Sequence, residues 1–467
     1  MIALTLAEAA AAVGGTLDGA DPAAQVTGPV VVDSRQVEPG SLFVAVVGER
    51  ADGHDFAAKA VADGAVAVLA SRPVGVPAVL VDDVVVALGR LARAVVERAE
   101  DTAIVALTGS AGKTSTKDLI AQLLTRRGET VYPPGSLNNE IGHPMTALRV
   151  APTTRHLVME MGARHKGDID YLTAITPPRI GVVLNVGTAH VGEFGSKEAI
   201  AEAKGELVEA LPADGVAVLN ADDPLVRAMA SRTKARVVLF GESREAEIRA
   251  DRVRLDDTGR PSFTLITPAG SAPVQLRLYG EHHVSNALAA AAVAVSLGMS
   301  VDDTAEALAE AGALSRWRME VVERADGVTV VNDAYNANPD SMRAALRALA
   351  TMAGRGPGRR RTWAVLGEMR ELGEESLDEH DAIGRLAVRL DVTKLVAVGG
   401  REAACMELGA RNEGSWGEES VLVSDADAAI ELLRSQVRPG DVVLVKASRS
   451  VGLEKVAEAL LADGAAE

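Results

Sequence analysis

The stretch "TAIVALTGSAGKTSTKDLIAQLL" carries Gly112-Lys113-Thr114 where a strand-like run gives way to a helical one. Those residue types in that order suit a phosphate. Backbone N–H groups at a helix start point at an anion, and the helix dipole favours negative charge there. Lys113 offers a point charge for β- and γ-phosphates, and the Thr114 hydroxyl offers an oxygen to Mg²⁺. The usual phosphate loop reads G-x-x-x-x-G-K-[ST]. Here the position five before Gly112 is Leu107, and the nearest upstream glycine is Gly109. The strand, the Gly-Lys-Thr and the helix agree with one another, which favours a nucleotide site over a turn with an incidental lysine.

Other polar residues sit where a parallel sheet would present them. "LVMEMGARHKGDID" leaves Glu160 at the end of an apolar strand, and "GVVLNVGTAHVGEFGS" leaves Asn185 and His190 just past another. Ligands of parallel α/β sheets lie outside the carboxyl ends of strands, so Glu160 and His190 are candidates to meet phosphates and metal. Each alone is more often an ordinary hydrogen-bonding residue, and Mg²⁺ prefers oxygen to imidazole. "YGEHHVSNALAAAAVA" puts Asn286 on the first turn of an Ala-rich helix. "VVNDAYNANPDSM" puts Asp333, Tyr335, Asn336 and Asn338 just after a strand. Such placement suits a ligand, yet N-P-D-S is equally a good turn and helix start.

The elements that must position these groups read as α/β throughout. Residues 1–100 hold short β-rich runs, among them "VVVDSR", "SLFVAVVG" and "AVAVLAS", followed by the helical "VVVALGRLARAVVERA". Residues 101–313 alternate buried-strand candidates with helical patterns, which predicts a mainly parallel sheet. A more β-like patch covers about 246–279. The alternation restarts in residues 314–467 with "VTVVNDAYN", "RTWAVLGEM", "KLVAVGG" and "DVVLVKAS". Three α/β domains are therefore expected, with a hinge near 312–315.

Composition bounds the function. With 467 residues, a net charge of −17 and 3% aromatic residues, the chain lacks the basic surface and stacking aromatics of a nucleic-acid binder. Cys405 is the only cysteine, so nothing points to an oxidising compartment. The N-terminal "MIALTLAEAAAAVGG" lacks a basic n-region, and Thr5 with Glu8 has capping-box spacing, so a first helix is expected rather than a signal peptide. The longest apolar run, "ALAAAAVAV", is too short to cross a bilayer. A cytoplasmic protein with no membrane insertion is expected.

Taken together, the chain resembles the Mur ligases, ATP-dependent enzymes that add amino acids to the peptidoglycan precursor. Their nucleotide loop reads T-G-[ST]-x-G-K-[ST], which Thr108 to Thr114 fits in full, so the missing early glycine is a family trait. "SLNNEIGHP", "DAYNANPDSM", "VLGEMRELGEES" and "VKASRSVGLEKV" look most like the members that join D-alanyl-D-alanine to UDP-N-acetylmuramoyl-tripeptide through an acyl phosphate. "VVDSRQVEPGSLFVAVVGERADGHDF" resembles the UDP-binding domain shared with the third-residue-adding ligase, whose D-N-P-R motif is absent here.

The resemblance implies a small UDP-binding N-terminal domain, a central ATPase domain and a Rossmann-like C-terminal domain. It implies that Gly109, Ser110, Ala111, Gly112, Lys113, Thr114 and Ser115 cradle ATP. Thr114 and Glu160 would serve Mg²⁺, His190 a second metal, and Lys204 would be the family's carbamylated lysine. Asn286 matches the adenine-contacting asparagine, while Arg318 and Asp333 match residues that reach the nucleotide on closure. Ser34, Arg35, Asn138 and Asn139 fall where the family meets the UDP-sugar substrate. The rival readings are the third-residue-adding ligase adding diaminopimelate or lysine, folylpolyglutamate synthase and, from another class, a phosphate-loop switch.

Overall fold

The computed structural model describes residues 1–188, 191–354 and 356–463. The chain begins as its side chains dictate. Thr5 accepts from the amide of Glu8 while Glu8 bonds back to Thr5, closing a capping box at the start of helix Leu6–Val13. That reciprocity satisfies two amides the helix start leaves without partners. Asp83 caps helix Val84–Glu97 more simply, its side chain accepting the amides of Val85 and Val86.

Besides the short antiparallel pairing of Leu4–Thr5 with Gln25–Val26, three larger sheets are formed by the described residues. The first runs Thr16–Asp18, Ala78–Leu80, Ala67–Ala70, Leu42–Val44, Val30–Val31, parallel except at its first pairing. The central sheet has nine strands. Its heart is Ala103–Thr108, flanked by His156–Glu160 on one side and Ile180–Val183 on the other, all parallel. These strands are buried on both faces, which is why they read as unbroken apolar runs. The third sheet has six strands and is parallel except at its edge pair, Glu320–Glu323 with Thr329–Asn332.

The β-like patch is the central sheet's antiparallel extension, made by Ile248–Leu255, Pro261–Thr267 and Gly270–Gln275. Pro261–Thr267 alternates buried and half-buried residues, as a strand with one covered face must. On the central sheet, the Ala-rich helix His283–Ser296 and helix Lys113–Thr125 share one apolar core. The alanines let that helix come close, and its first turn ends up against the phosphate loop. Among the described residues, no helix is long and apolar enough to cross a membrane.

The junction of helices Lys113–Thr125 and His283–Ser296 at Gly112 is tight. Gly112 has φ +80°, and a Cβ there would lie 2.6 Å from Oδ1 of Asn286. Gly112→Ala is therefore expected to destabilise the chain by about 1–3 kcal/mol, from left-handed strain and the displaced amide together. Thermal unfolding should show the double variant G112A/N286A losing less than the sum of the two single losses, since contacting residues couple. Simple additivity would mean the clash does not exist.

Candidate active site: a phosphate loop under a second α/β unit

The phosphate loop spans 109–112, between strand Ala103–Thr108 and helix Lys113–Thr125. Its shape is held from the neighbouring strand end. Asn185 Oδ1 accepts the amide of Ala111 at 2.8 Å, and Asn185 Nδ2 donates to the Ala111 carbonyl at 3.1 Å. The Asn185 carbonyl accepts from the Ser110 amide, and the Ser110 hydroxyl accepts from Gly187 N. Gly109 is tight as well, because a Cβ there would lie 2.9 Å from Leu184 Cβ. The first helical turn, from Gly112 to Ser115, lacks intrahelical acceptors for its amides, as helix starts do, and so offers donors to an anion.

Around this loop opens a cleft of about 1040 Å³. It gathers most of the residues singled out from sequence: Ser110 to Ser115, Asn138, Asn139, Glu160, Asn286, Arg318 and Asp333. Four others do not line it. Gly109 lies beneath the loop, and Lys204 is buried behind it, 4% exposed, on helix Lys197–Glu209. Ser34 and Arg35 sit on a short turn beside the first sheet, where Arg35 is exposed and doubly bonded to Asp33. His190 lies outside the described residues.

The charges in the cleft are unbalanced. Burial pushes the Lys113 ammonium below the usual lysine range; Glu160 opposes that shift and Arg318 adds to it. Lys446 is lowered by burial too, opposed by Asp333 and reinforced by Arg318. Lys446 Nζ donates to Asp333 Oδ2 at 2.6 Å and to the Asn336 carbonyl. Lys113 Nζ folds back onto the Gly109 carbonyl at 2.8 Å. These cations feel one another, and an anion between them would relieve the repulsion. Lys204 is driven well below the ordinary lysine pKa by burial, with the charge of Lys113 adding to the effect.

Glu160 supplies the clearest opening for a cation. Its Oε1 accepts from Asn138 Nδ2 at 2.7 Å, while its Oε2 is buried with no hydrogen-bond partner. A buried carboxylate oxygen without a donor is costly, and a hard divalent ion would satisfy it. Among the described residues, no group of three or more His, Cys, Asp or Glu side chains could hold a metal by itself.

The C-terminal unit reaches into the cleft. Arg318 Nη2 donates to Thr114 Oγ1 at 3.0 Å, and its guanidinium lies 4.1 Å from the centre of the Tyr335 ring. The Tyr335 hydroxyl meets Ser136 Oγ, and Asn338 Nδ2 donates to the Ser110 carbonyl at 3.3 Å. Arg318 is presented by an unusual backbone: Trp317 and Met319, on either side of it, have φ +59° and +49°. Each such non-glycine residue costs about 1–3 kcal/mol and persists only where its surroundings dictate it. Here Glu320 accepts the Trp317 amide and Asp333 the Met319 amide.

Two expectations change in detail. Asn139 lines the cleft, but its Oδ1 accepts the Gly142 amide at the start of helix Gly142–Ala147, a local structural bond. Asn286 packs its amide against Gly112. Sequence reasoning gave no role to Lys446, although it ends the apolar strand Val442–Lys446 just as Glu160 ends His156–Glu160. The same signature could have found it. Nothing in the sequence marked Asn185 as the clamp of the loop, because that depends on which strand lies beside which.

Comparison with known proteins agrees with this geometry. Family models match in three blocks: "Mur ligase family, catalytic domain" over 29–107, "Mur ligase middle domain" over 107–294 and "Mur ligase, glutamate ligase domain" over 317–449. The chain is 53% identical to a UDP-N-acetylmuramoyl-tripeptide–D-alanyl-D-alanine ligase of Mycobacterium leprae, covering 100% of this chain and 99% of the relative. Among solved structures it is similar to MurF from Acinetobacter baumannii, with TM-score 0.88, 32% identity and coverage of 98% and 99%. It is also similar to the MurF ligase from Thermotoga maritima in complex with ADP, with TM-score 0.81, 32% identity and coverage of 94% and 99%. Three family models in series along the sequence and a full-length relative at this identity leave one conclusion: the chain belongs to the Mur ligase family.

Proposed function

We propose that the chain joins D-alanyl-D-alanine to the terminal carboxylate of UDP-N-acetylmuramoyl-tripeptide, converting ATP to ADP and phosphate, in peptidoglycan precursor synthesis. The full-length identity of 53% to a relative of that name carries the reading, and the cation-lined cleft around the phosphate loop supports it. Residues 1–100 would hold the UDP end of the substrate through Ser34 and Arg35, residues 101–313 the ATP, and residues 314–467 would close over both. A reaction that draws on ATP and a UDP-sugar belongs in the cytoplasm.

A carboxylate is a poor electrophile, so it must first be activated. The tripeptide carboxylate attacks the γ-phosphorus, the bond to the β-phosphate oxygen breaks, and an acyl phosphate forms with ADP. The neutral amine of D-alanyl-D-alanine then attacks the acyl carbon; phosphate leaves and the amine proton is lost. The chain's part is to place charge where charge develops. Lys113, the amides of 112–115 and Arg318 face the transferring phosphoryl group, and Asn138 orients Glu160. Asn286 would border the adenine, and Asp333 would hold Lys446 and the Met319 amide in place. Two Mg²⁺ ions, one held by Thr114 and Glu160 and a second by His190, with a carbamate on Lys204 as a further ligand, would supply charge neutralisation. Closure by the C-terminal unit keeps water from the acyl phosphate.

The deciding assay is phosphate release with UDP-N-acetylmuramoyl-tripeptide, with and without D-alanyl-D-alanine. Release should require both, and diaminopimelate or lysine with the dipeptide should give none. Lys113→Ala should lower kcat by about 10²- to 10³-fold. Turnover indifferent to acceptor and amine would instead mark a nucleotide switch.

The carbamate has its own test. The lowered pKa of Lys204 favours the neutral amine, the form that attacks CO₂ and then loses a proton to give the carbamate. Without CO₂, the unfolded chain holds the Lys204 proton up to the ordinary 10.5, and the folded chain gives it up at lower pH. Folding then releases a proton, and stability rises with pH below that value. In CO₂-free buffer, Lys204→Met should raise Tm at neutral pH, and the gain should shrink as pH approaches 10.5. Lys204→Ala should lose activity and regain part of it with a small carboxylate. Full activity without rescue would remove the carbamate.

A further inference from the structure

The helix that begins at Lys113 also seats the linker to the C-terminal unit. Gln122 Nε2 donates to the Gly312 carbonyl and Gln122 Oε1 accepts the Gly312 amide, both at 3.0 Å. One turn back, Asp118 Oδ2 accepts the Ser315 amide at 3.1 Å. Asp118 lies 2.6 Å from Nζ of Lys117. Lys117 is fully buried and donates to the carbonyls of Pro133 and Gly135 at 2.8 and 2.9 Å.

One helix thus grips two segments by their backbones. Residues 133–135 lead to Ser136, and residues 312–315 lead to Arg318. The two meet again where Ser136 touches Tyr335 and Arg318 stacks on that same ring. Between the anchored Ser315 and the strand Glu320–Glu323 of the third sheet only residues 316–319 remain, including the two left-handed non-glycine residues. Gly312 is not in the left-handed region, and a Cβ there would meet nothing within 4 Å. Its glycine therefore serves no visible conformational need.

We propose that Asp118 and Gln122 are positioning residues for the ligase reaction. By fixing 312–315 to the phosphate-loop helix, they confine movement of the C-terminal unit to 316–319 and so bring Arg318 to Thr114. The hinge that the sequence suggests at 312–315 then lies just beyond it. Rotation about 316–319 carries Arg318 itself, so small changes there are read directly at the phosphate loop.

The inference rests on the ATP-dependent ligase reading, and the full-length chain tests the two separately. A wild-type chain without D-alanyl-D-alanine-dependent phosphate release fails that reading, whereas amide hydrogen exchange at 312–315 tests the anchor whatever the reaction. Gln122→Ala should raise exchange at 312–315. It should also lower kcat by about tenfold to a hundredfold, as misplacement of a distant group does, while the affinity for a non-hydrolysable ATP analogue stays within about twofold. Gln122→Glu, which keeps the acceptor for the Gly312 amide, should recover part of the rate. Gly312→Ala should behave as wild type. Asp118→Ala, which removes the acceptor for the Ser315 amide, should resemble Gln122→Ala, and if it fails to fold because Lys117 loses its partner, Gln122→Ala decides alone. Unchanged exchange in Gln122→Ala, a kcat loss matched by an equal loss of analogue affinity, or a large kcat loss in Gly312→Ala would overturn the proposal.

Discussion

Too much positive charge in one place organises this molecule. The Arg318 charge helps to lower both Lys113 and Lys446, and Lys204 has burial and the repulsion of Lys113 both against its proton. Glu160 and Asp333 offset part of that charge. The chain as a whole carries −17, so the cleft is a local reversal of sign on an acidic protein. Low-dielectric surroundings make such a reversal steep, and a polyphosphate is the natural counterweight. The strained backbone around Arg318 serves the same end, since it holds a cation where relaxed geometry would not put it.

The surrounding structure is rigid where that charge must be held and narrow where it must move. Asn185 spans both polar groups of Ala111, so the loop's shape is braced from the neighbouring strand end, and such bracing reduces the ordering cost of binding. By contrast, Arg318 reaches Thr114 from a unit joined through a short strained segment. A braced loop faced by a unit on a short joint suits the proposed reaction, whose intermediate must be kept from water.

Much of this was legible in the residues. The unbroken apolar strands, the Thr5–Glu8 box and the Gly-Lys-Thr junction are local signals, and each appears as its pattern implies. Glu160 was a candidate because it ends an apolar strand of a parallel sheet, although such a residue alone is more often an ordinary hydrogen-bonding one. What stayed hidden depends on contacts distant in sequence. Asn185 became a clamp only because its strand lies beside Ala103–Thr108. Asp118 and Gln122 look like polar residues of an ordinary helix until the linker is seen bonded to them. Left-handed backbone at Trp317 and Met319 has no sequence signature at all, because neither is glycine or asparagine.

The three adjacent strands Ala103–Thr108, His156–Glu160 and Ile180–Val183 end side by side, and the phosphate loop, Glu160 and Asn185 follow directly from those ends. Neighbouring strands are about 4.8 Å apart, so the sheet acts as a ruler that sets the spacing of these groups. Its graduations are coarse. Adding or deleting one residue in a strand moves its end by about 3.3 Å and turns every side chain to the opposite face. Evolution can therefore adjust this site freely by substitution and by changing loop lengths at the far end of the sheet, but hardly at all by insertion within these strands. The lineage's room for variation is set by hydrogen-bond register as much as by chemistry.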